Sequence, residues 1–290
     1  MTVGATNMEK INIGFLGYGT RALDALMADE RFDVKYFVAP LTRVDEYVYK
    51  ARKDYPDIPF FYVRNNNELS ALFDKLNDAD VFLMNACPII LNEEVIGKKE
   101  IYNIHPGDLN YNRGHQPHQW TVLLGEKESK IVCHTVTPGI DEGKLIGFVK
   151  KEIPSDYDAL QVLDLLEDQV PLLLDALYKH ITEGTPPIAD LSGGQYRHVL
   201  EHEDYRIYPE KIAEDGFYED MSRKIRARVM NHGAYFIHAG NRIYVDKILY
   251  EEEGANEPKV SVYKSVAFIE GKGKRYVLRL NHKEAKGEDE

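Results

Sequence analysis

Short apolar runs alternate with amphipathic stretches over the first two hundred residues, and this alternation constrains the fold more than any other feature. Residues 10–16 read as a buried strand, Gly17-Tyr18-Gly19-Thr20 as a tight turn, and residues 21–29 as a helix with Ala22, Leu23, Leu26 and Met27 on its inner face. Residues 33–39 form a second strand, and the unit repeats with a helix over 67–76 and a third strand over 80–84. Strands separated by helical stretches of this length pair in parallel through crossovers. The expected fold class is therefore α/β, with a Rossmann-like, mostly parallel sheet and helices on both faces.

The pattern continues with a short helix over 93–96, a strand over 101–105, a helix over 117–124 and strands over 130–136 and 145–152. One long helix is predicted over 157–182, capped by Ser155 or Asp156. Its Leu160, Leu163, Leu166, Val170, Leu173, Leu174 and Leu177 recur at helical spacing, which is a core stripe. Residues 184–194 are rich in turn formers. Beyond Tyr208-Pro209 the pattern shifts to a helix over 220–230 and strands over 235–238, 242–250, 260–270 and 274–281. The reading is a catalytic domain over 1–195, a linker over 196–212, and a small β-rich domain over 213–290, a partial barrel of OB-like character. That module is expected to serve either homodimer formation or substrate contact.

Composition excludes several classes. A net charge of -12, from 48 acidic against 36 basic residues, disfavours a protein that covers nucleic-acid backbone. Two cysteines make a disulfide framework improbable and point to a reducing, cytoplasmic setting. Residues 1–10 lack an apolar signal core, and the longest apolar runs, such as 170–177, are too short to span a bilayer. No membrane partner is expected.

The chemistry concentrates in Asn103-Ile104-His105-Pro106-Gly107, followed by Arg113-Gly114 and Gly139-Ile140-Asp141-Glu142-Gly143. In extended backbone Asn103 and His105 project to one side, while Asp141 must arrive through the fold. An amide donor, an imidazole and a carboxylate are what attack on a carbonyl requires: an oxyanion donor, a proton carrier and a group that orients and charges it. A His at a strand end is by itself more often a satisfied polar residue; the order of all three segments is what carries the reading. No Ser or Cys sits in a strand-turn-helix elbow, so the nucleophile is assigned to the substrate, with an amine the natural choice.

Two other sites are set aside. Gly17-Tyr18-Gly19 is a short Gly-x-Gly, and the strand that should end in an acidic residue for a ribose ends Val38-Ala39-Pro40. His105, His115, His118 and His134 lack the spacing of a metal set, so no metal is assigned, and His118 and His134 read as structural or substrate-facing.

At these residues the chain resembles the folate-dependent formyltransferase family, which includes glycinamide ribonucleotide, methionyl-tRNA and amino-sugar formyltransferases. The family pattern Asn-x-His-x-Ser-Leu-Leu-Pro-x-Tyr-Arg-Gly stands here as Asn103 through Gly114, followed by Pro117, Trp120, Gly125-Glu126 and Asp141-Glu142-Gly143. The resemblance implies that Asn103 and His105 stabilise and protonate a tetrahedral intermediate, with Asp141 supporting His105 and sharing in proton transfer. It further implies that N10-formyltetrahydrofolate, the formyl donor, lies against Cys87-Pro88-Ile89 and Thr137-Pro138-Gly139-Ile140, with His115 touching folate or substrate. Where the family has Ser-Leu-Leu-Pro this chain has Gly107-Asp108-Leu109-Asn110. Asp108 then either binds the acceptor or makes a side-chain turn.

The expected acceptor is a small-molecule amine on a nucleotide-linked amino deoxy sugar. Arg113, Lys150, Lys151 and Arg197 are candidate partners for its pyrophosphate, and Tyr111, Tyr196 or Tyr205 for its base. The alternatives are a methionyl-tRNA-type enzyme, suggested by residues 231–245 and the basic helix around Arg223 to Arg228, and a catalytically silent folate-binding module. Residues 41–58 are mixed in charge, which argues against the tRNA acceptor.

Overall fold

The computed structural model describes residues 10–41, 46–190, 194–229 and 232–281. The elements run β1 (Ile11–Gly17), α1 (Thr20–Ala28), β2 (Phe32–Pro40), α2 (Glu46–Asp54), β3 (Phe60–Val63), α3 (Asn66–Phe73), β4 (Val81–Asn85), α4 (Glu93–Ile96) and β5 (Glu100–His105). They continue with β6 (Arg113–Gly114), α5 (Pro117–Leu124), β7 (Glu128–Thr135), β8 (Lys144–Glu152), α6 (Ala159–Glu167), α7 (Val170–Glu183), β9 (Ala189–Asp190) and β10 (Tyr196–Arg197). The C-terminal part holds α8 (Phe217–Ala227), β11 (Ala234–His238), β12 (Asn241–Glu253), β13 (Lys259–Val262), β14 (Val266–Gly271) and β15 (Lys274–Leu280).

Two compact units emerge. The first is 1–114, 130–151 and 165–196; the second is 115–129, 152–164 and 197–290. The chain therefore passes from one to the other five times.

The first unit is built on an eight-stranded sheet in the order β3-β2-β1-β4-β5-β7-β8-β9. β1 through β5 pair in parallel, whereas β5 with β7 and β8 with β9 run antiparallel. Both faces are covered by helices. Leu16, Val38, Phe82 and Ile101 pack with Leu69 and Phe73 of α3 and Val95 of α4, while on the other face Tyr102 meets His180 of α7. Gly147 in β8 lets Ala176 of α7 approach to within 2.7 Å of where a Cβ would stand. Caps are local: Asn65 accepts from the Glu68 amide at 3.1 Å and Asn92 from the Val95 amide at 3.1 Å.

The second unit carries the antiparallel sheet β11-β12-β15-β14-β13, a half-barrel whose long strand β12 has two register irregularities against β15. Such bulges bend a strand and let a short sheet curl. Phe217, Met221 and Ile225 of α8 fill its concave side against Phe236, Val245, Ile269 and Leu278. α5 packs on α8 in this unit, with the Arg223 guanidinium beside Gly125 at the C-terminus of α5, where a cation suits the helix dipole.

Several expectations need correction. The single helix over 157–182 is two, α6 and α7, because Pro171 has no amide proton and its ring would strike the carbonyl four residues back, at Glu167, the last residue of α6. Its cap is neither Ser155 nor Asp156 but Asp158, which exchanges hydrogen bonds with Gln161 at 3.0 Å in each direction. The break shifts the phase of the stripe, so Leu160 is exposed while Val162, Leu166, Val170, Leu173, Leu174 and Leu177 are buried. The strand expected over 260–270 is a hairpin of β13 and β14, closed by the Tyr263 amide on the Val266 carbonyl at 2.8 Å. α2 and β3 have no counterpart in the sequence reading. Residues 196–212, expected as a linker, carry β10 and two 3-10 turns and bury Leu200, Tyr205, Ile207 and Ile212. Among the described residues no helix is long and apolar enough to cross a membrane.

Candidate active site

β5 delivers Asn103 and His105 to one side at its C-terminal end, both nearly buried. The antiparallel register of β5 with β7 sets His134 directly opposite Asn103. Asp141 arrives on the loop between β7 and β8, in the left-handed region at φ 52°. That loop turns tightly because Gly143 lies against the Thr135 carbonyl, where any Cβ would overlap the oxygen.

All these groups converge on the Asp141 carboxylate. Oδ2 accepts the Gly114 amide at 2.8 Å and faces His105 Nδ1 at 3.4 Å; Oδ1 faces Asn103 Nδ2 at 3.4 Å and His134 Nε2 at 3.5 Å. Burial alone would raise this carboxyl, but the neighbouring His105 and His134 rings and the Gly114 amide outweigh it and hold Asp141 well below the usual carboxylate range. Asp141 is thus a fixed anion.

The hydrogen-bond inventory sets the roles of the rings. His134 Nδ1 lies 2.9 Å from the Thr135 carbonyl and must donate there, so its Nε2 is left to accept from Asn103 Nδ2 at 3.1 Å. His105 Nε2 likewise donates to the Asn112 carbonyl at 2.9 Å while Nδ1 faces the carboxylate, so a ring with protons on both nitrogens is satisfied at both ends. Asn103 has one amide proton on His134 and the other on Asp141, and an oxyanion would capture the second, held by the longer bond. A mobile proton, a polar amide and an anion meeting within one cluster equip the site for acid-base and oxyanion chemistry at a carbonyl.

No protein thiol competes as nucleophile. Burial pushes both the Cys133 and Cys87 thiols up to about 12, far from a reactive thiolate. The Cys87-Pro88-Ile89 stretch follows β4 through Ala86 at φ 51°, with Cys87 Sγ 3.8 Å from the Ile89 carbonyl. Thr137, Pro138, Gly139 and Ile140 form the loop leading into Asp141, and Thr137 Oγ1 donates to the Gly139 carbonyl at 3.4 Å. His115 falls in the second unit, exposed, with its amide on the Arg197 carbonyl at 3.3 Å.

Asp108 is committed to a turn. Its Oδ1 accepts the Asn110 amide at 3.0 Å, and its Oδ2 pairs with Lys130 at 2.9 Å. The Gly17-Tyr18-Gly19 turn is likewise filled from within: the Asn85 carbonyl takes the amides of Tyr18 and Gly19 at 3.1 and 3.4 Å, and the Asn85 side chain packs where a Gly19 Cβ would stand. Of the four histidines noted together, only His105 and His134 share the Asp141 cluster; His118 is buried on α5 in the second unit. Among the described residues no group of three His, Cys, Asp or Glu is placed to hold a metal ion. Tyr111 and Tyr196 are exposed and Tyr205 is buried; Arg113 pairs with Glu142 at 3.0 Å, and Arg197 lies over the Trp120 ring at 5.2 Å.

His134, read from the sequence only as structural or substrate-facing, is the member of the cluster that the fold brings in. The signal that reveals it is the cross-strand pairing with Asn103, which depends on β7 running antiparallel to β5.

An α/β sheet that brings an amide, two imidazoles and a held carboxylate together beside the end of a central strand is suited to group transfer at a carbonyl. Comparison with known proteins narrows this class. Residues 44–174 match the family model described as formyl transferase. Methionyl-tRNA formyltransferase of Rickettsia bellii is 26% identical over 220 residues, 74% of this chain and 70% of that protein. An enzyme of the same name from Thermus thermophilus is 32% identical over 159 residues, 54% of this chain and only 50% of its own length. The N-formyltransferase of Helicobacter canadensis, solved with folinic acid and dTDP-3-aminofucose, shares the fold with a TM-score of 0.62 at 15% identity, covering 93% of this chain and all of that one. The matched residues cover a little under half of the chain, and together with these relatives they support a folate-dependent formyltransferase family.

Proposed function

We propose that this protein moves a formyl group from N10-formyltetrahydrofolate to a primary amine carried by a nucleotide-linked amino deoxy sugar. The observation that carries the reading is the convergence of Asn103 and His105 on Asp141. The amine nitrogen attacks the formyl carbon, the carbonyl oxygen becomes an oxyanion stabilised by the Asn103 amide, and the carbon–N10 bond breaks as N10 gains a proton. The amine loses the matching proton, with His105 as the carrier and the Asp141 carboxylate supporting its charge. The products are an N-formyl sugar and tetrahydrofolate. Folate is assigned to Cys87, Pro88, Ile89, Thr137, Pro138, Gly139 and Ile140, with His115 as a further contact.

The sugar acceptor draws support from the Helicobacter canadensis protein, whose structure holds an aminofucose nucleotide and which this chain covers from end to end. The second reading, methionyl-tRNA, is favoured by the names of the sequence relatives. The net charge of -12 weighs against it, because tracking a phosphate backbone needs a positive excess. A homodimer built through the C-terminal sheet is part of the proposal.

The test begins with calorimetric titration of 5-formyltetrahydrofolate, a stable stand-in for the donor, followed by turnover with nucleoside-diphosphate amino sugars and with methionyl-tRNA. Asn103→Ala and His105→Ala should bind folate nearly as the parent does yet lose about a hundredfold to a thousandfold in rate. Full turnover in either variant removes the assignment. Turnover with methionyl-tRNA alone transfers it to the second reading.

A further inference from the structure

We propose that Arg113 and Glu142 form a positioning pair for Asp141, locking the loop that presents its carboxylate to His105. The pair rests on the formyl-transfer reading for its kinetic consequences, not for its geometry. Two consecutive residues of one segment hold two consecutive residues of another: the Gly114 amide donates to Asp141 Oδ2 at 2.8 Å, and Arg113 Nη2 binds Glu142 Oε1 at 3.0 Å. The first contact fixes the carboxylate, and the second fixes the backbone beside it.

Such a clamp answers a local need. Asp141 is a side-chain-bearing residue at φ 52°, a conformation that persists only when its surroundings over-determine it. Glu142 folds back over Gly139, where any Cβ would overlap its Oε2. Arg113 is itself anchored, with its backbone amide on the Gln195 carbonyl at 3.1 Å and Gly194 pressed against Leu109 and the Arg113 side chain. Among the described residues Nε and Nη1 of Arg113 have no hydrogen-bond acceptor, so the guanidinium of this 7%-exposed residue is oriented by Glu142. Lost pairing would let the 139–142 loop relax and lengthen the 3.4 Å approach of Asp141 to His105. The groups that face Asp141 are His105 and Asn103 from β5, His134 from β7 and the amide of Gly114 from β6.

The test uses the full chain and four variants: Glu142→Gln, Arg113→Lys, their combination, and Gly139→Ala, which displaces Glu142 without changing its charge. Circular dichroism establishes that each is folded. Nitrogen chemical shifts of the His105 and His134 rings, followed against pH and assigned with His134→Gln, report on the Asp141 cluster without any substrate. The expected result is that Glu142→Gln and Gly139→Ala both move the His105 ring shifts toward those of Asp141→Asn. In turnover, Glu142→Gln and Arg113→Lys should each lose about tenfold to a hundredfold in kcat, as misplacement of a catalytic group does, with folate KM unchanged. The combined variant should lose no more than the worse single one, because both break one unit. Ring shifts identical to the parent in Glu142→Gln and Gly139→Ala, or losses that multiply in the combination, overturn the pair. Moved ring shifts in a protein that turns over no formyl acceptor sustain the pair and remove the formyl-transfer reading instead.

Discussion

Replacing Asp141 by Asn tests the centre of the site, because the variant keeps the shape and removes the charge. An Asn side chain offers one oxygen and one NH2 to a position where all four neighbours now point donors or ring nitrogens at carboxylate oxygens. If its oxygen stays on the Gly114 amide, its NH2 faces the Asn103 NH2, formerly 3.4 Å from Oδ1, and the two donors repel. His105 Nδ1 meanwhile loses the anion 3.4 Å away that supports its charge. General acid-base catalysis contributes about 10²–10⁴ in rate, so disabling the imidazole should cost about 3–5 kcal/mol of barrier. The assay is release of tetrahydrofolate from the formyl donor across a range of pH, with folate affinity measured separately.

Stability should respond with a defined sign. The Asp141 carboxyl is depressed in the folded state, so its stabilisation is present above the unfolded value of about 4 and is lost as pH falls toward the folded value. Urea midpoints of the parent should therefore drop between pH 5 and 3 (roughly the window of an unfolded carboxyl) more steeply than those of the Asn variant. A variant within about threefold of parental kcat, with the same pH profile and the same acid-side slope, would refute the account of Asp141 given above.

Two further outcomes follow from the same loop and its neighbours. Gly143→Ala should destabilise by about 1–3 kcal/mol, because its methyl overlaps the Thr135 carbonyl and backbone cannot move aside; an unchanged urea midpoint would contradict this. Cys87 and Cys133, with thiols pushed up to about 12, should resist thiol reagents at pH 8 in the native protein and react fully in denaturant, since only about one part in ten thousand is thiolate. Rapid native labelling of both would show that burial does not govern them.

Much of the first unit is legible in the sequence because its signals are local. Strand β5, helix α4 and helix α5 follow from apolar runs bounded by Asn92, Gly97, Gln116-Pro117 and Gly125. Asn103 and His105 are readable as one face because a strand has a period of two. What escapes depends on chain-distant geometry or on thin local pattern. α2 is highly charged, with only Val48 and Ala51 fully buried, and β3 is a four-residue run beside Pro59. The break at Pro171 is hidden by an uninterrupted leucine stripe, although the proline itself is in plain view. His134 belongs to the site only through its register with Asn103, and no spacing along the chain encodes that pairing.

The five passages of the chain between its two compact units bear on inheritance. A gene cut once near residue 196 does not separate two modules, since the amino-terminal product would still carry α5, whose partner α8 lies on the other piece. Trp120 would lose Leu200, Tyr205 and Tyr235 from its surroundings in the same stroke. Acceptor preference in such a protein would then be hard to exchange by single-crossover recombination, and new specificities would have to arise by point substitution within an intact chain.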